Sequence, residues 1–326
     1  MKTKKKLGLV LGSGGARALT QIGVLKVLER EKILPDIIVG SSMGAFIGGI
    51  YAAGVSIEKI EQVACRTSMK FTGRMLLPGL PTSGLVNLDR VRNFLNELGA
   101  NVNIEDMNVC FAAIATDFAI GEEVILSRGS LIEAIAASIA MPVLFKPVYY
   151  QNKFLVDGGI VNPLPINVAY KMGATTVIAV NVVHSPGISF QKKNGKPKRK
   201  AIIKENLSRL RNSIFKQTKK IDKLKHTDSS LDNLSAGNGS RDEIPSSPGI
   251  FNNMMQGAYV LENRIVQLQL QLEKPDILIS PDISDFNMLH FHRANELIAI
   301  GEKAAQEMLP QIKEIAETSL EKHYAV

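Results

Sequence analysis

The chain has few cysteines: only Cys65 and Cys110 occur in 326 residues. Both stand in apolar stretches, and their spacing matches no metal-binding pattern. We therefore expect structural thiols in a reducing compartment rather than nucleophiles. Nor does the sequence hold a cluster of carboxylates typical of a calcium site, so we expect no metal and no other cofactor.

Long apolar runs are also missing, because no window offers the ~18 apolar residues that a membrane-spanning helix needs. The basic residues 1–6 precede a short apolar run, which superficially resembles a signal peptide. Glycines and Arg17 interrupt that run where a signal peptide requires an apolar core. We therefore expect a cytoplasmic protein that is soluble or peripheral to the membrane. Hydrophobic residues make up 45% of the chain, enough for a large globular core.

The net charge of +8 is concentrated in one segment. Residues 191–245 contain fifteen Lys or Arg and six Asp or Glu, a local balance of +9. The rest of the chain is nearly neutral, which argues against a nucleic-acid partner and favours a local attachment to something anionic.

The basic segment lies within residues 186–248, which read as a largely flexible insertion. Between residues 201 and 225, apolar side chains recur at helical spacing among Lys and Arg. This pattern predicts a basic amphipathic helix. Such a helix can bind an anionic membrane surface, or it can pack on the protein body or on a second copy; the pattern leaves both open.

A serine stands between two glycines in Gly40-Ser41-Ser42-Met43-Gly44. Residues 37–39 read as a buried strand, and the apolar residues after Gly44 follow helical spacing. Ser42 is therefore predicted at a strand-to-helix turn, where the glycines let the two arms approach. The simpler alternative is that this serine only caps the helix.

A glycine-rich loop follows the first predicted strand, Leu7 to Leu11, and begins at Gly12. It lacks the third glycine of a dinucleotide site, since Arg17 stands there, and it lacks the Gly-Lys-Ser/Thr ending of a phosphate loop. The remaining interpretation is an oxyanion hole formed by the amides of Gly14 and Gly15, with Arg17 orienting the loop or adding positive potential.

A carboxylate ends another predicted strand, residues 153–156, in the sequence Asp157-Gly158-Gly159. An Asp-Gly pair is also common in simple turns, so this motif alone favours a turn. Strands that alternate with helices predict an α/β domain with a mainly parallel sheet, formed by residues 5–185 and 249–318. Catalytic groups gather at the carboxyl ends of such strands, where we expect Gly14, Ser42 and Asp157.

Together, the glycine loop, the Gly40–Gly44 motif and the Asp157 motif resemble the three motifs of the patatin-like phospholipases, in the same order and with similar spacing. The stretch from Ala137-Ser138 to Pro147 is similar to a fourth block of that family. The resemblance extends from about residue 7 to 183.

The resemblance implies a three-layer α/β/α fold and a Ser–Asp dyad without histidine. Ser42 would be the nucleophile and Asp157 its base, acting on lipid acyl esters such as phospholipids or lysophospholipids through an acyl-enzyme. The motif residues implied for the oxyanion hole are Gly14, Gly15, Ala16 and Arg17, and the remaining motif glycines are Gly12, Gly40, Gly44, Gly158 and Gly159. Since an ordinary carboxylate is a weak base for a hydroxyl, we predict a raised pKa for Asp157.

The loop departs from the family pattern at two positions, Ser13 and Ala18, where glycine is usual. If the backbone at Ala18 required positive φ, the methyl group would cost about 1 kcal/mol and shift the oxyanion donors.

Two other functions compete with the dyad. An α/β-hydrolase with a Ser-Asp-His triad would use one of the five histidines, but that fold places several strands before its nucleophile. A non-catalytic lipid-binding protein of the same fold would not need both Ser42 and Asp157. The five histidines are His184, His226, His290, His292 and His323.

Overall fold

The computed structural model describes residues 5–66, 88–142, 144–183 and 250–320. The insertion at 186–248, its predicted helix at 201–225 and three histidines, His184, His226 and His323, lie outside these ranges.

The described residues form one central sheet of eight strands. In chain order the strands are β1 (Leu7–Leu11), β2 (Ile37–Ser41), β3 (Cys110–Asp117), β4 (Glu123–Leu126), β5 (Val148–Tyr150), β6 (Lys153–Asp157), β7 (Thr176–Val180) and β8 (Ile277–Ile279). The spatial order is β5-β6-β3-β2-β1-β7-β8, with β4 also paired to β3. The pairs from β3 across to β8 are parallel, whereas β4, β5 and β6 join by antiparallel pairing.

Helices cover both faces of the sheet. They are α1 (Thr20–Arg30), α2 (Met43–Ala52), α3 (Ile57–Arg66), α4 (Asp89–Leu98), α5 (Leu131–Ser138), α6 (Ile166–Lys171), α7 (Ile250–Leu272) and α8 (Ala294–Leu320). Short 3-10 turns occupy Gly15–Leu19, Ile104–Asp106, Gly158–Ile160 and Phe291–Arg293.

Alternate strand residues face opposite layers, as a pleated strand requires. Leu9 and Leu11 pack into the core under α1, α2 and α8, while Val10 packs on the other side with α6 and α7. The fold is therefore the three-layer α/β/α arrangement with a mainly parallel sheet that the sequence predicted.

Helices α1 and α8 touch backbone to backbone. A Cβ on Gly23 would lie 2.1 Å from the carbonyl oxygen of Ile298, and one on Gly301 would lie 1.8 Å from that of Thr20. This contact explains why a glycine is kept inside α1 despite its low helix propensity.

Two local predictions need correction. The spacing of Ser130 and Glu133 predicts a capping box at the start of α5. Ser130 does cap the helix by accepting the amide hydrogen of Glu133, but the Glu133 carboxylate binds Arg92 at 2.8 Å instead of returning to Ser130. Cys110, predicted in an apolar setting, is exposed at the start of β3.

Candidate active site

Ser42 occupies a strained turn between β2 and α2. Its φ of 53° and ψ of −123° lie in a region that residues other than glycine rarely adopt. A Cβ on Gly44 would lie 2.1 Å from the carbonyl oxygen of Leu11, and one on Gly40 would lie 2.5 Å from the amide nitrogen of Ala45. Both positions therefore require glycine because the backbone of another residue lies too close for a Cβ, as the sequence motif predicted.

The hydroxyl of Ser42 donates a 2.7 Å hydrogen bond to Oδ2 of Asp157, a residue 115 positions later in the chain. The other oxygen, Oδ1, accepts the amide hydrogen of Gly159 at 2.8 Å. Only 1% of Asp157 is exposed to solvent. The contact expected from the sequence is present.

Asp157 reaches this place by an unexpected route. The sequence predicted that Asp157 follows a parallel strand and therefore lies at the carboxyl edge of the sheet. Its strand, β6, instead runs antiparallel to β3. Because β3 continues to Asp117, β6 pairs with that extension and returns until Asp157 lies opposite Ala115, one residue beyond the level of Ser41. The extension of β3 thus brings the two motifs together.

Burial raises the pKa of Asp157 to about 6, although the hydrogen bonds from Ser42 and Gly159 oppose the shift. The carboxylate is therefore a stronger base than an ordinary aspartate, yet it is ionised at neutral pH. This agrees with the direction predicted from the sequence.

The glycine loop offers fewer free amide donors than the four that the family resemblance implied. The amide of Ala16 donates to the carbonyl of Met288 at 2.9 Å, and that of Arg17 donates to the carbonyl of Gly14 at 3.3 Å. Within the described ranges, the amides of Gly14 and Gly15 have no acceptor. The candidate oxyanion donors therefore reduce to these two glycines.

Neither Ser13 nor Ala18 has a positive φ, so the two departures from the family pattern carry no strain of that kind. Gly15 does, with a φ of 58°, and a Cβ there would lie 2.7 Å from the carbonyl oxygen of Met288. Within this part of the loop, positive φ therefore falls on glycine, as at Gly15, and not on Ser13 or Ala18.

Arg17 is buried and fastens the loop to the last third of the chain. Its Nε donates to the carbonyl of Phe286 at 2.8 Å, and its guanidinium lies 4.2 Å above the ring of Tyr259. Burial lowers the pKa of Arg17, while Tyr259 and Glu262 act in the opposite direction. Of the two roles proposed for Arg17, these contacts favour orienting the loop.

Two further polar residues border Ser42 and Asp157, and the sequence carries no motif that assigns either of them a role. Ser138, at the end of α5, accepts the amide hydrogen of Ser42 at 3.0 Å. Glu262, on α7, accepts a 3.2 Å hydrogen bond from Ser13 and is 4% exposed. The signal for Glu262 was weak: it shares the buried face of α7 with Tyr259 and Val266, at spacings of three and four.

The two described histidines, His290 and His292, make their hydrogen bonds and ring contacts away from Ser42 and Asp157. His290 pairs with Asn287 through its ring at 2.8 Å, and its ring also packs against His292. Within the part of the chain that the structure describes, no histidine is hydrogen-bonded to Ser42 or Asp157.

An apolar cavity of about 180 Å³ opens onto Ser42 and Asp157, whose side chains are the polar ones among its described lining. Side chains from α2, α3, α4 and the segment after β8 form much of the wall, including Phe46, Ile50, Val63, Phe94 and Leu289. Such a lining suits a hydrocarbon chain next to an ester.

The described residues contain no group of three or more His, Cys, Asp or Glu able to hold a metal ion. Among their helices, none has both the length and the apolar character needed to cross a bilayer.

Comparisons with known proteins identify the family and the fold. A family model described as patatin-like phospholipase matches residues 9–170. An uncharacterized NTE family protein of Mycobacterium tuberculosis is 28% identical over 93% of this chain and 91% of its own length. Human patatin-like phospholipase domain-containing protein 6 is 32% identical over 55% of this chain, which corresponds to 14% of that protein.

The lysophospholipase NTE1 of Candida albicans is 33% identical over 55% of this chain and 13% of its own length. Among solved structures, VipD from Legionella pneumophila superposes with a TM-score of 0.51 at 13% identity, covering 94% of this chain and 67% of that one. That likeness concerns the fold alone. The chain belongs to the patatin-like phospholipase family.

Proposed function

We propose that the protein is a serine acyl hydrolase that cleaves acyl esters of phospholipids or lysophospholipids with Ser42 and Asp157. The observation that carries this proposal is the 2.7 Å hydrogen bond from Ser42 Oγ to Asp157 Oδ2 at an apolar cavity. The family membership and the lysophospholipase among the relatives support the same chemistry.

In the first half of the reaction, Ser42 Oγ attacks the ester carbonyl carbon while its proton passes to Asp157. The tetrahedral oxyanion is received by the amides of Gly14 and Gly15. A carboxylate with a pKa near 6 is still much weaker than an alkoxide, so proton transfer is concerted with attack. Collapse breaks the ester bond, and Asp157 returns the proton to the leaving alcohol.

In the second half, water attacks the acyl-enzyme and Asp157 accepts its proton. The fatty acid leaves when the second tetrahedral intermediate collapses and Ser42 regains its hydrogen from Asp157. The apolar cavity holds the acyl chain through both steps, because each buried methylene contributes about 0.8 kcal/mol.

The test is hydrolysis of a panel of phospholipids, lysophospholipids and short soluble esters, together with labelling by a fluorophosphonate. We expect turnover and labelling in the native protein and neither in Ser42→Ala. A protein that cleaves no ester and takes no label would instead be a lipid-binding member of the fold. Loss of about 10⁴-fold on replacing a single histidine by alanine would indicate a triad.

We also propose that the basic segment attaches the enzyme to an anionic membrane surface, and the charge balance of residues 191–245 supports this. Deleting these residues is expected to weaken binding to anionic vesicles while leaving the turnover of a soluble ester intact. Unchanged vesicle binding would remove the membrane role.

A further inference from the structure

Glu262 is a buried acid that the dyad chemistry leaves unused. It projects from α7 toward the dyad, and Ser13 Oγ donates to its Oε2 at 3.2 Å. A Cβ placed on Gly159 would lie 2.8 Å from Oε1 of Glu262 and 3.1 Å from Oδ1 of Asp157. The two carboxyl groups therefore lie next to each other, on the side of Gly159 where other residues carry a side chain.

Two charged side chains act on Glu262: Asp157 from β6 and Arg17 from the glycine loop. Tyr259, one turn earlier on the same buried face of α7, packs against the guanidinium of Arg17. Burial and the negative charge of Asp157 raise the pKa of Glu262 to about 8, against the smaller effects of Ser13 and Arg17. The pair is expected to carry a single negative charge at neutral pH. The hydrogen bonds that Asp157 accepts from Ser42 and Gly159 favour that charge on Asp157, because Glu262 accepts only the longer bond from Ser13.

We propose that Glu262 is a positioning residue of the dyad: as a neutral acid beside Gly159, it leaves the negative charge on Asp157 and holds the Asp157-Gly158-Gly159 turn against the glycine loop. The inference rests on the proposed function, since it concerns how Asp157 acts as a base.

Ionisation of Glu262 has a predictable effect on the reaction. A second buried negative charge destabilises the oxyanion that forms at the adjacent loop. The base gains little in return, because Asp157 is already ionised at that pH. Turnover is therefore expected to fall as pH rises through the range in which Glu262 loses its proton.

The experiment measures kcat/KM for a short soluble ester, and the rate of fluorophosphonate labelling, from pH 5 to 10. For the native enzyme, kcat/KM is expected to rise around pH 6 as Asp157 ionises, which is the acidic limb of the profile. It is expected to fall around pH 8 as Glu262 ionises, which is the alkaline limb. Glu262→Gln mimics the neutral acid, so it is expected to keep the acidic limb and lose the alkaline one. At pH 9 it then retains its full plateau, whereas the native enzyme retains about one tenth of its own.

Gln269→Leu is the matched control on α7. Gln269 lies two turns beyond Glu262 and donates to Asn162 Oδ1 at 2.7 Å, so its loss removes one comparable anchor without changing any charge. Both limbs are expected to stay in place. If Gln269→Leu loses the alkaline limb as completely as Glu262→Gln does, the fall in activity depends on how α7 is anchored and not on the proton of Glu262. That result would overturn the proposal.

Ser13→Ala is a second test, which leaves the Glu262 carboxyl group in place. It remains decisive even if Glu262→Gln does not fold. Without the hydroxyl that stabilises ionised Glu262, the alkaline limb is expected to move up by about half a pH unit or more. An alkaline limb that persists in Glu262→Gln, or that stays fixed in Ser13→Ala, overturns the proposal. Turnover that survives Ser42→Ala overturns the proposed function instead.

Discussion

The amide of Ser42 donates its hydrogen to the hydroxyl of Ser138, 3.0 Å away at the end of α5. Both residues are buried. This bond holds the backbone of Ser42 in its strained conformation and satisfies an amide that would otherwise have no partner beside the nucleophile. The bond also takes that amide away from any oxyanion, so the oxyanion donors that we propose remain Gly14 and Gly15.

Replacing Ser138 by alanine is therefore expected to disturb the nucleophile without touching the substrate. The buried amide of Ser42 loses its acceptor, at a cost of about 1–3 kcal/mol in the free energy of unfolding. The rate of Ser42 labelling by a fluorophosphonate is expected to fall about tenfold, because the hydroxyl is no longer held in one position. Urea denaturation and timed labelling measure the two effects.

Ser130→Ala is the matched control, since Ser130 caps the other end of the same helix. Losing that cap is expected to lower stability by about 1 kcal/mol and to leave the labelling rate unchanged. Equal labelling rates in Ser138→Ala and the native protein would contradict a role for Ser138 at the nucleophile.

Gly44→Ala tests the close approach of α2 to β1. The new methyl carbon would stand 2.1 Å from the carbonyl oxygen of Leu11, a backbone atom that cannot turn aside. We expect a loss of about 3 kcal/mol or more in stability and no labelling of Ser42. Thermal unfolding and gel detection of the probe provide the measurements.

The comparison variant is Gly54→Ala, two residues after the end of α2. Gly54 has a φ of 87°, but nothing lies within 4 Å of the position of its Cβ. The expected cost is therefore about 1 kcal/mol of backbone strain, with labelling retained. Similar losses in the two variants would show that steric contact at Gly44 is not what makes this glycine necessary.

The turn at Ser42 could be predicted because its requirements are local. A buried strand, a serine between two glycines and an apolar helical pattern fix the Gly40–Gly44 turn within a few residues. Strand β1 likewise begins and ends where its apolar pattern predicted. In these segments the conformation is determined by the residues of the segment itself, so the sequence pattern is enough to predict it.

The partners of the dyad could not be predicted in this way, because they depend on contacts between distant segments. Asp157 reaches Ser42 only because β3 extends far enough for β6 to pair antiparallel with its end. Glu262 approaches the same point from a helix 105 residues later, and its own neighbours in sequence carry no motif. Local patterns cannot report such an encounter.

The length of the cavity is expected to limit the acyl chain. Ile50 lines it from α2, about 12 Å along the helix from Ser42. Ile50→Phe shortens the space, so kcat/KM is expected to fall about fourfold for each methylene excluded from the cavity. Esters too short to reach Ile50 should be unaffected. A series of esters of increasing chain length measures the effect.

Ile57→Phe, at a buried position on α3 outside the cavity lining, controls for overpacking of the core. It should lower stability without changing chain-length preference. If Ile50→Phe reduces turnover equally for the shortest and longest esters, the cavity does not hold the acyl chain.

Glu262 also predicts how stability depends on pH. Its pKa is raised from the usual 4.5 to about 8 in the folded state, so the fold favours the neutral form. The stability associated with that proton is fully present below pH 4.5. It is lost as pH rises, by up to about 1.4 kcal/mol per pH unit, until the folded-state pKa is passed.

Glu262→Gln has no such proton, so its stability relative to the native protein is expected to increase steadily from pH 5 to about 8 and then level off. Urea denaturation at one-unit intervals measures this difference, in which the titration of groups other than Glu262 and its close neighbours largely cancels. The control is Glu296→Gln, since Glu296 is exposed and its partner Arg293 lowers its pKa. Because that shift has the opposite sign, this variant should not gain stability with rising pH. A difference between Glu262→Gln and the native protein that does not change with pH would mean that Glu262 is not held neutral in the folded enzyme.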